Sequence, residues 1–170
     1  MTLSPGTRKA VLAVHLTASI GWIGGVIAYL TLGATAINTT DVQAIRSAWI
    51  AMDTIGWNAI VPLAGTAWVT GVAMALGTRW GLFRHYWVII SLVLTTVALV
   101  VLLLHMPDVT TTVEFARTAS TSELAALGGD LAHPAIGLIL LLVVQVLNIY
   151  KPRGLTRYGH RRQRASRSSS

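Results

Sequence analysis

Apolar residues dominate four stretches of the chain, residues 10–33, 54–77, 86–106 and 132–150. Each is long enough to cross a bilayer as a helix, since a hydrocarbon core of about 30 Å takes about 20 helical residues. Within each stretch the small and polar residues recur at helical spacing. Ala18, Ser19, Trp22 and Val26 share the face of His15, and Ser91, Thr95, Ala98, Leu102 and His105 share another. The fourth stretch aligns His133, Gly137 and Asn148, with Gln145 further round, and the second contributes Asn58, Pro62, Thr66 and Thr70. The simplest packing turns all four stripes inward. This pattern predicts an all-α fold, a four-helix transmembrane bundle.

The connections carry their own signals. Asn38-Thr39-Thr40-Asp41 is a helix start. The amphipathic stretch after it, with Val42, Ile45, Trp49 and Met52, is expected to lie along the outer interface. Pro62 should kink the second span, and Pro107 should end the third. The long connection 108–131 suggests a short surface helix over 122–127, then a Gly128-Gly129 hinge, with Asp130 as N-cap of the fourth span. Gly21 and Gly25 form a G-x-x-x-G pair, which allows close approach of another helix.

Charge then orients the bundle. The acidic residues Asp41, Asp53, Asp108, Glu114, Glu123 and Asp130 all fall between the first and second or the third and fourth stretches. Arg8, Lys9, Arg79, Arg84 and the basic run from Lys151 to Arg167 fall in the remaining segments, and only Arg46 and Arg117 break the alternation. Cytoplasmic segments of membrane proteins retain Lys and Arg. Both termini are therefore expected in the cytoplasm, in a multi-pass protein of the plasma (inner) membrane whose first partner is the lipid bilayer. The first apolar run exceeds a signal-peptide core and contains a histidine and a tryptophan, so it reads as a retained helix. Residues 1–152 form the four-span domain, and 153–170 a basic, Ser-rich, disordered cytoplasmic tail.

Composition narrows the chemistry. The chain is 54% apolar and 11% charged, too apolar for an ordinary soluble domain, and it has no cysteine. Disulfides, thiolate ligands and dithiol redox chemistry are excluded. A pI near 10.9 raises nucleic acid as a partner, but topology accounts for the basic excess, so no nucleic-acid partner is expected. Of the tryptophans, Trp49, Trp57, Trp80 and Trp87 read as interfacial anchors, and Trp22 and Trp68 as deeper packing residues.

Ionisable groups at membrane depth point to a site or an interior contact. His15 lies near the cytoplasmic end of the first span, about 8 Å in at the helical rise. His105 ends the third span and His133 begins the fourth, which puts both at the outer surface. The pair, with Met106 as a further donor, is a workable ligand set for copper, zinc or haem iron. The alternative for the pair is bonding to water or backbone, and for His15 a bond to a neighbouring helix. His85 lies about 200° round the helix from His105, so it belongs in the turn and not in the bundle interior.

The first-span segment from His15 through Trp22 to Gly24-Gly25 resembles the H-x6-W-x-G-G pattern of small bacterial membrane proteins grouped as a domain of unknown function. The turn at 78–87 and the segment ending His105-Met106-Pro107 look like the same group. The pattern is also similar to the first helix of CopD-like copper-resistance domains, which implies that His15 handles copper. It is similar as well to the membrane protoporphyrinogen oxidases, which pair a first-helix histidine with W-x3-K and bind haem b. Trp87 matches that tryptophan, and Ser91 stands where the lysine would be. The expected function is an accessory, non-enzymatic membrane protein that holds haem b or copper, with His15, His105 and His133 as cofactor-binding residues and His105 and His133 as metal ligands. The alternatives are an oxidoreductase of the protoporphyrinogen-oxidase type and a cofactor-free structural subunit of a homo-oligomer or larger membrane complex.

Overall fold

The computed structural model describes residues 4–77, 82–152 and 154–161. Arg79, Trp80, Arg153 and residues 162–170 lie outside them, so the anchor role of Trp80 and the disorder expected of the distal tail fall outside the described residues. The described chain is helical. Helix α1 (Pro5–Asn38) starts at Ser4, whose hydroxyl accepts the backbone N–H of Thr7 at 3.2 Å. Helix α2 (Val42–Ile55) is capped by Asp41, which accepts the N–H of Gln43 at 2.9 Å. It runs through a π-helical turn, Gly56–Ile60, into α3 (Val61–Gly77). Then come α4 (Tyr86–Thr118), the short α5 (Thr121–Ala126) and α6 (Ala132–Tyr150).

Among the described residues four helices are long and apolar enough to cross a membrane: Pro5–Asn38, Val42–Gly77, Tyr86–Thr118 and Ala132–Tyr150. The protein is a small, multi-pass integral membrane protein built as a four-helix bundle. Its two ends are called here the acidic end, which carries Asp41, Glu114 and Asp130, and the basic end, which carries Arg84 and Lys151.

Several local expectations are corrected. The amphipathic stretch does not lie along the interface as a separate helix. It continues the second span, and Ile45, Ala48, Trp49 and Met52 are buried against α1 and α4. Pro107 does not end the third span, because α4 runs on to Thr118. The hydroxyls of Thr110, Thr111 and Thr112 each donate to the carbonyl four residues back, at 3.2, 3.0 and 2.8 Å. A threonine-rich segment can therefore satisfy its side chains within a helix, although its hydropathy falls. In the second span the π turn accommodates the proline: Val61 N–H bonds to Gly56 five residues back, just before Pro62.

The second span also turns its polar stripe the other way. Asn58, Pro62 and Thr66 are exposed, and Asn58 and Thr66 donate to carbonyls four residues back in their own helix. The buried stripe is Gly56, Ile60, Ala64 and Ala67. Small residues win the interior here because α1 approaches closely. A Cβ on Gly25 would come within 2.9 Å of Ile60 Cγ1, and one on Gly21 within 3.2 Å of Leu63 Cδ1. The G-x-x-x-G pair is thus occupied inside the chain and offers no face to a partner subunit.

Trp49 and Trp87 are packed in the bundle and are not anchors, whereas Trp57 is 40% exposed. The two basic exceptions, Arg46 and Arg117, both serve the C-terminal end of α4. Arg46 donates from Nε to Ala116 O at 2.9 Å and from Nη2 to Ala119 O at 3.3 Å, and Arg117 occupies the last turn. Cations there complement unpaired carbonyls and the helix dipole. At the basic end, residues 154–161 fold back on the turn before α4. Leu155 bridges to His85, Thr156 N–H donates to Arg84 O at 3.0 Å, and the Thr156 hydroxyl donates to Phe83 O. The described start of the tail is therefore ordered, because its backbone groups find partners in that turn.

Candidate functional site

The groups with most chemical potential meet at the acidic end, around Asp130. The segment after α5 reaches this place through two glycines. Gly128 has φ +66°, a left-handed conformation that glycine adopts without steric cost. The backbone of Asp130 then lies directly on α1, where a Cβ on Gly33 would come within 2.8 Å of the Asp130 carbonyl oxygen. Trp49 Nε1–H holds the same segment from α2 by donating to Gly128 O at 3.3 Å.

The Asp130 carboxylate, 11% exposed, gathers side chains from three helices. Oδ2 accepts from Tyr29 Oη–H of α1 at 2.8 Å and from His105 Nε2–H of α4 at 2.6 Å. His133 of α6, one turn further along the chain, brings Nδ1 to 3.7 Å from Oδ1. The imidazoles of His105 and His133 are stacked, with ring centroids 4.2 Å apart and planes 24° from parallel. Asp130 does not cap α6, as the sequence suggested. Leu131 holds the cap position without a side-chain bond, and the carboxylate turns to His105 and Tyr29.

The ligand-capable atoms of His105, Asp130 and His133 all lie within 4.8 Å of one another. Two imidazoles and one carboxylate suit a first-row divalent ion. With bonds of about 2.0–2.2 Å, ligand atoms stand roughly 3.3 Å apart in a tetrahedral site and about 2.8–3.1 Å apart as neighbours in the tetragonal site copper(II) prefers. The 3.7 Å contact must therefore close slightly and the 2.6 Å contact must open as a metal replaces the shared proton. His133, with its side chain 59% exposed, is free to make that adjustment. Met106 is directed elsewhere. It is 1% exposed and fills the niche above Gly56, where a Cβ would meet its sulfur at 2.6 Å. The cluster itself lines one side of a mainly apolar cavity of about 250 Å³, whose other walls include Val97, Val101, Leu102, Ile136 and Leu140.

The other histidines are elsewhere. His15 is in the basic half, where its Nδ1 lies 3.0 Å from Ala67 O and 3.1 Å from Thr70 Oγ1. A second cavity, about 320 Å³, lies beside it. Trp22 and Leu141 line both cavities and separate the two halves. His85 precedes α4 in the turn and lines neither cavity.

The structure brings His105 and His133 together and keeps His15 apart from them. Sequence reasoning missed Asp130 as a donor and missed Tyr29 altogether. Tyr29 carried a signal: it lies seven residues after Trp22, two helical turns along the same face. Comparison of the chain with known protein families, with curated proteins and with solved structures finds no match.

Proposed function

We propose that this protein is an accessory, non-enzymatic membrane protein that binds one copper(II) ion through His105, His133 and Asp130. The observation that carries the reading is the convergence of three ligand-capable groups within 4.8 Å, from α4, the loop after α5 and α6. Among first-row divalent ions, copper binds mixed nitrogen and oxygen donors most tightly. Tyr29 supports the site by fixing the carboxylate, as outer hydrogen bonds commonly do around metal ligands. Haem b suits this pair less well. Axial ligands approach a porphyrin from opposite faces, whereas these rings are stacked on each other. The oxidoreductase alternative would need a cation where Ser91 offers a neutral hydroxyl.

The charge alternation supports an orientation with the copper site at the outer face of the plasma membrane and both termini in the cytoplasm. Reporter fusions test it directly: a reporter after Arg161 should read cytoplasmic and one at Glu114 should read outside. The opposite readings would move the site to the cytoplasmic face.

The metal reading is tested by copper analysis of detergent-purified protein after loading and desalting. One copper per chain is expected. His105→Ala and Asp130→Asn should each sharply lower the copper retained after desalting, without preventing weaker binding at one equivalent through the remaining donors, and Tyr29→Phe should weaken affinity about 10-fold or more. Equal copper in wild type and all three variants would refute the site.

A further inference from the structure

The cavity of about 320 Å³ in the basic half plays no part in the copper reading. Its volume is within the range of small-ligand pockets, about 300–1,000 Å³. The polar groups around it are sorted by type. A carbonyl oxygen can only accept, so His15 must carry its proton on Nδ1 to bond Ala67 O at 3.0 Å. That tautomer leaves Nε2 as a lone-pair acceptor, with no protein partner among the described residues. Ser91, which also lines the cavity, is 7% exposed, and its hydroxyl has no hydrogen-bond partner among the described residues. Buried hydroxyls are normally bonded, so an unpartnered one beside a cavity marks a place for a ligand atom. Gln145 and Asn148 of α6 add amide groups to the same lining.

The remainder of the lining restricts the ligand further. Among the described residues no carboxylate lines the cavity, which disfavours a cationic ligand. Three indoles, Trp22, Trp68 and Trp87, contribute flat aromatic surface, aliphatic side chains and Met74 supply most of the remaining wall, and Ser19, Thr95 and Lys151 add two hydroxyls and one cation. A ligand matching all of this has a flat ring, a hydroxyl to donate, further oxygens to accept and an apolar tail.

We propose that this cavity binds a membrane quinol. A ring hydroxyl donates to Nε2 of His15. The other ring oxygens accept from the Ser91 hydroxyl and from the amides of Gln145 and Asn148. The ring lies among the indoles and the tail follows the apolar wall. Because Nε2 accepts and does not donate, the site favours the reduced quinol over the oxidised quinone.

Thermal unfolding of the detergent-purified full chain tests this with decylubiquinol, decylubiquinone and phosphatidylglycerol as probes. Decylubiquinol at a hundredfold excess over its Kd should raise the Tm by roughly 5–10 °C, decylubiquinone by clearly less, and phosphatidylglycerol not at all. Asn148→Leu and Ser91→Ala each keep a helix-compatible side chain of similar or smaller size. Both should unfold like wild type without ligand and lose at least half of the quinol-dependent shift. Three results would overturn the proposal. Equal shifts for quinol and phosphatidylglycerol would assign the cavity to lipid. Quinol shifts unchanged in both variants, or absent from wild type, would remove the site. A Soret band in the purified protein that disappears in His15→Ala would assign the Nε2 lone pair to haem iron.

Discussion

The acidic end ties its histidines into a closed network with a carboxylate and a phenol, whereas the basic end leaves one imidazole bonded on a single side and facing a cavity. The packing around them differs in the same sense. Met52, Met106, Val109, Ala116 and Leu124, at most 2% exposed, all lie toward the acidic end. Toward the basic end Leu12, Val14 and Leu16 are 39–48% exposed, and the buried side chains there, Ala67, Trp87, Val88, Ser91, Val144 and Thr156, retain 3–9% exposure. The difference has a structural cause. Helices α2 and α4 continue beyond the apolar stretches at the acidic end, and α5 packs against α2 there. These extensions give the loop bearing Asp130 a surface on which to be fixed. A site that requires three donors at set distances is found where the backbone is held from several sides.

The largest effect should come from emptying that packed end. Met52→Ala removes a side chain with 0% exposure, and a cost of about 2–5 kcal/mol in unfolding free energy is expected. Leu104→Ala, at a position 72% exposed on the bundle surface, should change stability by less than about 0.5 kcal/mol. Similar losses for both in a chemical-unfolding series would mean that the acidic end is not the better-packed half.

Next in size is the glycine contact between α1 and the second span. Gly25→Leu forces a side chain against Ile60, while a Cβ on Gly24 meets nothing within 4 Å. Overpacking of this kind costs about 1–3 kcal/mol, so Gly25→Leu should lower the Tm and Gly24→Leu should leave it unchanged. If Gly24→Leu proved the more harmful, α1 would have to be rotated about its axis, and His15 would no longer face the cavity.

The smallest effect concerns the short helix α5 at the packed end. The Ser120 hydroxyl and then the Ser120 backbone N–H donate to the Glu123 carboxylate, which holds its pKa below the ordinary glutamate value. A depressed carboxylate stabilises the fold above its ordinary pKa, and that stabilisation is lost as pH falls through the lowered value. The protection of the 121–126 amides against exchange, relative to their intrinsic rates at each pH, should therefore fall in acid before that of α4 does. Glu123→Gln should remove most of the acid sensitivity.

These contrasts show which parts of the molecule could be read in the residues. The four spans follow from long apolar runs, and the inward faces of α1 and α4 follow from Trp22, Val26, Ser91 and Ala98 at helical spacing. His105 closes the third apolar stretch and His133 opens the fourth, so chain order alone puts the two at one depth. The second span misled because Asn58 and Thr66 look buried by pattern. Bonded to their own helix, they can face outward. The extension of α4 was hidden because Pro107 and three threonines resemble a loop when hydropathy alone is read. Asp130 fits the profile of an N-cap equally well. Its actual role depends on Gly33 and Trp49, which are far away in sequence and become its neighbours only when the bundle is assembled.

The measurement that bears most directly on the central claim is electron paramagnetic resonance of the protein loaded with one equivalent of copper(II). The account predicts a spectrum with hyperfine coupling from two imidazole nitrogens. One coupling should disappear in His105→Ala and one in His133→Ala, while His15→Ala keeps both. A spectrum with oxygen ligation only, or nitrogen coupling that survives the His105→Ala, His133→Ala double variant, would contradict it.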